Sequence, residues 1–304
     1  MITISHVKKR FDAVLALDDV SLSIRAGERV AFVGANGSGK TTLLRALLGL
    51  VRVEGKITIA GSDVAREPEA ALRGVAYIPQ IAPPIEASVA EVVRAHAALR
   101  GKKEEATYER AARLGLDLGA SRPKRFRDLS GGMKQKLLAA MALAAEAEVL
   151  VCDEPTANLD GEARVAFFSE LAARPPSSVV VLCSHRIEEV QKLVARVVEL
   201  GDGRVVRDAS LDEVLVGLKA FRVEVTLRAG ATAARAEAML VGRGFTRCGE
   251  ARFGASVAQH EKVELVTRLL AEHSADLADL SIVPVDDLAR ASREPGPRRL
   301  EVVA

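Results

Sequence analysis

Apolar residues in the N-terminal part of the chain fall in short unbroken runs that alternate with helix-period stretches. The run Arg29-Val-Ala-Phe-Val33 leads into a glycine-rich turn and then a helical pattern from Thr42 to Leu50, ending near Gly49. Further strands are expected at Lys56–Ile59, Gly74–Ile78, Val149–Cys152, Val179–Cys183 and Val197–Leu200. Strands apolar on both faces and separated by helices describe an α/β core with a largely parallel sheet. Between Pro83 and Arg127 the strand signal stops, and helical segments such as Val89–Leu99 and Tyr108–Gly115 take over. A helical subdomain is therefore expected over about residues 82–135, inserted into a domain spanning residues 1–215.

The C-terminal part changes rhythm. Phe221, Val223, Val225 and Leu227 alternate with Arg222, Glu224, Thr226 and Arg228, the pattern of a half-buried strand. A helix from Thr232 to Val241, strands around Phe245 and at Arg252–Ala258, a helix from Glu261 to His273 and a strand at Leu280–Val285 complete the order β-α-β-β-α-β. That order predicts a small ferredoxin-like α+β domain over residues 216–290. The Pro/Gly-rich stretch Arg293-Glu-Pro-Gly-Pro-Arg-Arg299 makes residues 291–304 a flexible tail.

Composition narrows the function classes. The 304 residues carry a net charge of +2, with two Tyr, eight Phe and no Trp, so neither a broad basic surface nor many stacking platforms for nucleic acid are expected. The first residues hold no apolar signal-peptide core, since Lys8, Lys9, Arg10, Asp12, Asp18 and Asp19 interrupt them. The longest apolar run, Leu137–Ala145, is far shorter than the roughly 20 residues that span a bilayer. A cytoplasmic protein is expected. Cys152, Cys183 and Cys248 are too widely spaced for a Cys-x-x-Cys framework, and the first two sit in apolar runs as small buried residues.

The chemistry is concentrated in three segments. Gly34-Ala-Asn-Gly-Ser-Gly-Lys-Thr-Thr42 fits the phosphate-loop pattern G-x-x-x-x-G-K-[ST] between a strand and a helix. In it Gly34, Ala35, Asn36, Gly37, Ser38 and Gly39 offer backbone N–H groups to a phosphate, Lys40 reaches the β- and γ-oxygens, Thr41 ligates Mg²⁺ and Thr42 continues into the helix. The strand Val149-Leu-Val-Cys-Asp-Glu154 ends in two carboxylates. Asp153 suits Mg²⁺, and Glu154 suits orientation of an attacking water. Leu129-Ser-Gly-Gly-Met-Lys-Gln-Lys136 starts an Ala/Leu-rich helix with Ser130 as N-cap and two glycines that admit an anion closely.

Leu-Ser-Gly-Gly between a phosphate loop and an acidic strand end resembles the signature motif of the ATP-binding cassette (ABC) ATPases, and the resemblance covers about residues 1–215. It implies a P-loop NTPase fold, ATP and Mg²⁺ as ligands, and ATP hydrolysis. Further roles follow by position. Gln80 corresponds to the Q-loop residue that touches Mg²⁺ and the water, Asn158-Leu159-Asp160 to the D-loop, His185 to the switch residue on the γ-phosphate, and Phe11 to the aromatic that stacks on adenine. Ser130, Gly131, Gly132 and Gln135 would form the signature surface that completes a partner's ATP site, so the resemblance implies a homodimer of cassettes.

Family use implies a transporter subunit docked on separate transmembrane permeases at the inner face of the membrane, with no nucleic acid bound. The alternative is a soluble ABC machine acting on nucleic acid or a protein complex. Such proteins generally carry two cassettes or a large insertion between the Walker motifs, which this chain lacks. The small C-terminal domain and Val285-Asp-Asp-Leu288 resemble the tail of cassettes serving ABC-2 exporters, a group that includes the copper-handling transporter of nitrous oxide reductase maturation. No His/Cys cluster in the sequence supports a metal cargo.

Overall fold

The computed structural model describes residues 1–184, 193–218, 220–228, 233–273 and 276–284. His185, Val285–Leu288 and the 291–304 tail lie outside them. The chain divides into two compact units after Ser210.

The first unit begins with a hairpin that the apolar pattern does not announce. Strands β1 (Ile2–Phe11) and β2 (Val14–Ile24) pair antiparallel, from Ile2 opposite Ile24 to Phe11 opposite Val14. The alternation of buried Ile2, Ile4 and Val7 is broken at His6, where φ is 50°, and facing residue Asp19 has φ 59°. A pleat irregularity of this kind, followed by Lys8, Lys9 and Arg10, hides a strand from a period-two reading. After β3 (Arg29–Val33) and α1 (Lys40–Leu47), β4 (Glu54–Ile59) and β5 (Ser62–Asp63) extend the hairpin into a four-stranded sheet ordered β2-β1-β4-β5. The Lys56–Ile59 strand thus joins an antiparallel sheet, opposite β1, and not the parallel core.

A short helix α2 (Pro68–Leu72) leads to β6 (Val75–Ile78). Next come α3 (Val89–Arg100), α4 (Glu104–Arg113), α5 (Leu118–Ser121), a 3-10 turn (Phe126–Asp128) and α6 (Gly131–Ala144). Helix α3 starts on a capping box in which the Ser88 hydroxyl accepts from the Glu91 N–H while the Ser88 N–H donates to the Glu91 carboxylate. Strand β7 (Val149–Asp153), α7 (Gly161–Ala172), β8 (Val179–Cys183), β9 (Arg196–Gly201) and β10 (Arg204–Ser210) complete the unit.

The six-stranded sheet runs β10-β9-β3-β8-β7-β6, parallel except for β10 at its edge. Every residue of β7 and β8 is buried, which explains why they read as unbroken apolar runs. Leu43, Leu44 and Leu47 of α1 share one hydrophobic core with Ile2, Ile24 and Ile59 of the antiparallel sheet and with Phe32, Val151 and Val181 of the parallel one. Register levels the strand ends: Asp153 and Phe32 each lie beside Cys183, and Ile78 lies beside Cys152. The loops after Val33, Ile78, Asp153 and Cys183 therefore leave one carboxyl edge together, where open α/β sheets bind their ligands.

The second unit begins with α8 (Leu211–Leu218). It continues with β11 (Ala220–Leu227), α9 (Ala233–Gly242), β12 (Thr246–Arg247), β13 (Arg252–Ala258), α10 (Gln259–His273) and β14 (Leu277–Pro284). Its sheet is antiparallel in the order β12-β13-β11-β14. This is the split β-α-β arrangement, with the first and third strands central. Val223, Val225, Leu240, Phe253, Val257 and Leu269 fill its core.

Candidate functional site

The glycine-rich segment Gly34–Thr42 links β3 to α1 at the carboxyl edge of the parallel sheet. Gly34 and Gly39 have φ of 142° and 103°, and neither could carry a side chain: a Cβ would lie 2.2 Å from the Leu200 carbonyl oxygen at the first and 2.6 Å from that of Ala16 at the second. The loop is clamped from outside. Gly203, in the β9–β10 turn, donates its N–H to the Ser38 carbonyl at 3.1 Å, and Asp18 on β2 donates its own to the Gly203 carbonyl at 2.8 Å. The Gly201-Asp-Gly203 sequence signals a turn, but the contact with the phosphate loop is tertiary and was not legible.

Lys40 is 9% exposed, and its Nζ donates to the carbonyls of Gly34 at 2.7 Å and Ala35 at 3.0 Å. The buried Ser38 hydroxyl has no hydrogen-bond partner among the described residues. An orphaned buried hydroxyl in a loop whose Gly34 and Gly39 admit no Cβ suits an anionic ligand that supplies acceptor oxygens. The Thr41 hydroxyl donates to Asp153 Oδ1 at 3.4 Å, so two oxygen donors converge at the start of α1. Hard oxygen groups beside a phosphate cradle fit Mg²⁺.

Asp153 is 2% exposed, and burial pushes its carboxyl up, partly offset by the Thr41 hydrogen bond. Tyr77 is pushed up to about 12, first by burial and then by the Asp153 charge. Asp153 ionises at higher pH when folded than when unfolded, so its contribution to stability declines as pH rises from the ordinary Asp range through the folded value. Wherever the buried carboxylate is ionised with no cation bound, its desolvation is a net cost. Asp153→Asn is therefore expected to raise the melting temperature without nucleotide, by roughly 2–4 °C per 1 kcal/mol relieved, and to remove the increment that Mg²⁺ adds to ATP. Differential scanning fluorimetry with ATP, alone and with Mg²⁺, measures both.

Glu154 follows directly, with φ 47° and its N–H donating to the Cys183 carbonyl at 3.1 Å. A left-handed backbone at a glutamate costs on the order of 1–3 kcal/mol and turns the chain sharply off the strand end.

Gln80 is exposed in the loop after β6. Ser130 caps α6, accepting from the Met133 N–H at 3.3 Å, and is exposed together with Gly131. The signature and D-loop segments meet within this chain. A Cβ on Gly132 would lie 3.0 Å from the Asn158 carbonyl oxygen, Leu159 is buried, and Lys136 pairs with Asp160 at 2.7 Å. That bond holds the Asp160 carboxyl below the usual range, and Asp160 also caps α7 through the Ala163 N–H at 2.8 Å. No sequence signal marks the Lys136–Asp160 pair, because a lysine on a helix does not announce its tertiary partner.

Two expected residues are placed differently from the rest. Gln135, read as part of a surface offered to a partner, is 2% exposed and bonds within its own chain. Phe11 is 45% exposed at the hairpin turn, with Lys9 Nζ 4.8 Å from its ring centroid. The same hairpin carries Ala16 against Gly39.

A family description, ABC transporter, matches residues 17–157. A daunorubicin resistance ATP-binding protein of Streptomyces coeruleorubidus is 31% identical over 293 residues, covering 92% of this chain and 91% of its own. A methionine import ATP-binding protein of Caulobacter vibrioides is 35% identical over 228 residues, covering 71% of this chain and 69% of its own. Among solved structures, an ATP-binding subunit of an ABC transporter is 28% identical with a TM-score of 0.64, covering 70% of this chain and 91% of that one. A dimeric cassette in a post-hydrolysis state with ADP and phosphate, 23% identical with a TM-score of 0.60, shares the fold over 69% of this chain and 99% of its own.

Proposed function

The chain belongs to the ABC transporter ATP-binding family, and on that premise we propose that it is the ATP-hydrolysing subunit of a membrane transporter that works as a pair of cassettes. The observation that carries this reading is the convergence of Lys40, Thr41, Asp153 and Glu154 at one edge of the parallel sheet.

In this reading the loop N–H groups and Lys40 hold the β- and γ-phosphates, and Phe11 stacks on adenine. Thr41, Asp153 and Gln80 would hold Mg²⁺, which would supply positive charge to offset that of the phosphates. Glu154 orients the attacking water and accepts its proton as the new oxygen–γ-phosphorus bond forms. The bridging bond to the β-phosphate breaks, and ADP leaves with its electron pair. Ser130, Gly131 and Gly132 close on the γ-phosphate held by a second copy, His185 acts on the same group, and Asn158–Asp160 lie along the join. Opening and closing of the pair drives separate permease subunits, met through the Gln80–Arg127 region. No helix among the described residues is long and apolar enough to cross a membrane. The match to the daunorubicin resistance protein covers 92% of this chain, and that to the methionine import protein 71%.

The chain should co-purify with a membrane protein encoded beside it, and lipid-reconstituted complex should hydrolyse ATP at a rate that responds to transported compound. Failure to bind any membrane protein, with ATPase stimulated by nucleic acid, would overturn the transporter reading.

A further inference from the structure

Gln135 lies in the second turn of α6, inside the protein, with its Nε2 donating to the carbonyls of Pro155 at 3.1 Å and Pro79 at 3.4 Å. Pro79 immediately precedes Gln80, and Pro155 immediately follows Glu154. One carboxamide with two N–H groups thus joins the signature helix to both loops that carry the groups assigned to the attacking water. The prolines make the tie stiff. The planar Pro79–Gln80 peptide fixes where Gln80 begins once the Pro79 carbonyl is held. On the other side, the planar Glu154–Pro155 peptide and the locked proline φ leave little freedom between the held carbonyl and Glu154. The next residue, Lys136, ties the same helix to the D-loop through Asp160.

We propose that Gln135 is a positioning residue for hydrolysis, setting the distance between the Gln80 and Glu154 loops and coupling both to α6. This rests on the assignment of Glu154 and Gln80 to the water. Side chains that neither touch nucleotide nor face solvent can still govern a rate by placement, since an error of about 1 Å in a reacting group costs on the order of a hundredfold.

The test uses the full chain with Gln135→Met and Gln135→Glu, which keep the side-chain length but replace the amide donor, beside Glu154→Gln. Steady-state phosphate release and equilibrium binding of a fluorescent ATP analogue are measured on each. Expected is a fall in kcat of at least about tenfold for both Gln135 variants, with KM and analogue affinity within about twofold of wild type. If Gln135→Met does not fold, Gln135→Glu carries the comparison. Wild-type kcat in a folded variant overturns the proposal, and so does a loss expressed in KM and affinity instead of kcat, because that marks a general loosening of the nucleotide site. Should Glu154→Gln turn over normally, the hydrolytic assignment itself fails, independently of the Gln135 result.

Discussion

Glu154→Gln is expected to lower ATP turnover by at least about a hundredfold, the range that a positioned general base contributes, while Mg-ATP still binds. The substitution is nearly isosteric. It removes the carboxylate proposed to accept the proton from water but leaves the backbone bond from residue 154 to the Cys183 carbonyl, so the left-handed turn at the end of β7 persists. Asp153 and Thr41 are untouched, and the oxygens proposed to hold Mg²⁺ stay in place. Binding without turnover should then accumulate the ATP-bound pair. Phosphate release gives the first quantity, and size-exclusion chromatography with light scattering in Mg-ATP gives the second. A variant with near wild-type phosphate release would remove Glu154 from the mechanism.

The second large effect is expected at Lys40. Its ammonium is almost fully buried and is held by two carbonyl dipoles, with loop geometry that places it over the glycine cradle. A polyphosphate offers full negative charge to the same donors, and hydrogen bonds between charged partners are about twice as strong as neutral ones. Lys40→Ala should weaken nucleotide binding by roughly ten- to a hundredfold, equivalent to the ~1.5–3 kcal/mol of a charged hydrogen bond. Without nucleotide the change in stability should be small, because loss of the carbonyl contacts is offset by removal of a desolvated cation. The measurement is the thermal shift against Mg-ATP concentration, which follows the logarithm of ligand over Kd. An unchanged titration would exclude Lys40 from phosphate binding.

Much of this site was legible before the fold because its chemistry is local. A phosphate cradle needs glycines at fixed spacing and a lysine at the start of a helix, and all of these lie between Gly34 and Thr42. The acidic pair at the end of β7 follows a strand whose complete burial makes it an unbroken apolar run. The C-terminal unit was readable for a related reason, since Val223, Val225 and Leu227 alternate cleanly with polar residues and set one face against the helices. Strands β1 and β2 were not, because the irregularity at His6 and Asp19 shifts the alternation by part of a period and charged residues occupy the exposed face.

By itself the sequence determined the class of chemistry and the local shape of each motif, because propensity, apolar periodicity and glycine spacing act over a few residues. The tertiary structure decided what those motifs touch. It set Gly203 and Ala16 against the phosphate loop, paired Lys136 with Asp160, and turned Gln135 inward to bridge Pro79 and Pro155. These contacts join residues far apart in the chain, and their geometry follows from the strand order β3-β8-β7-β6 and its level register. No short-range pattern encodes that order, since it is fixed by how whole elements bury their apolar faces against one another.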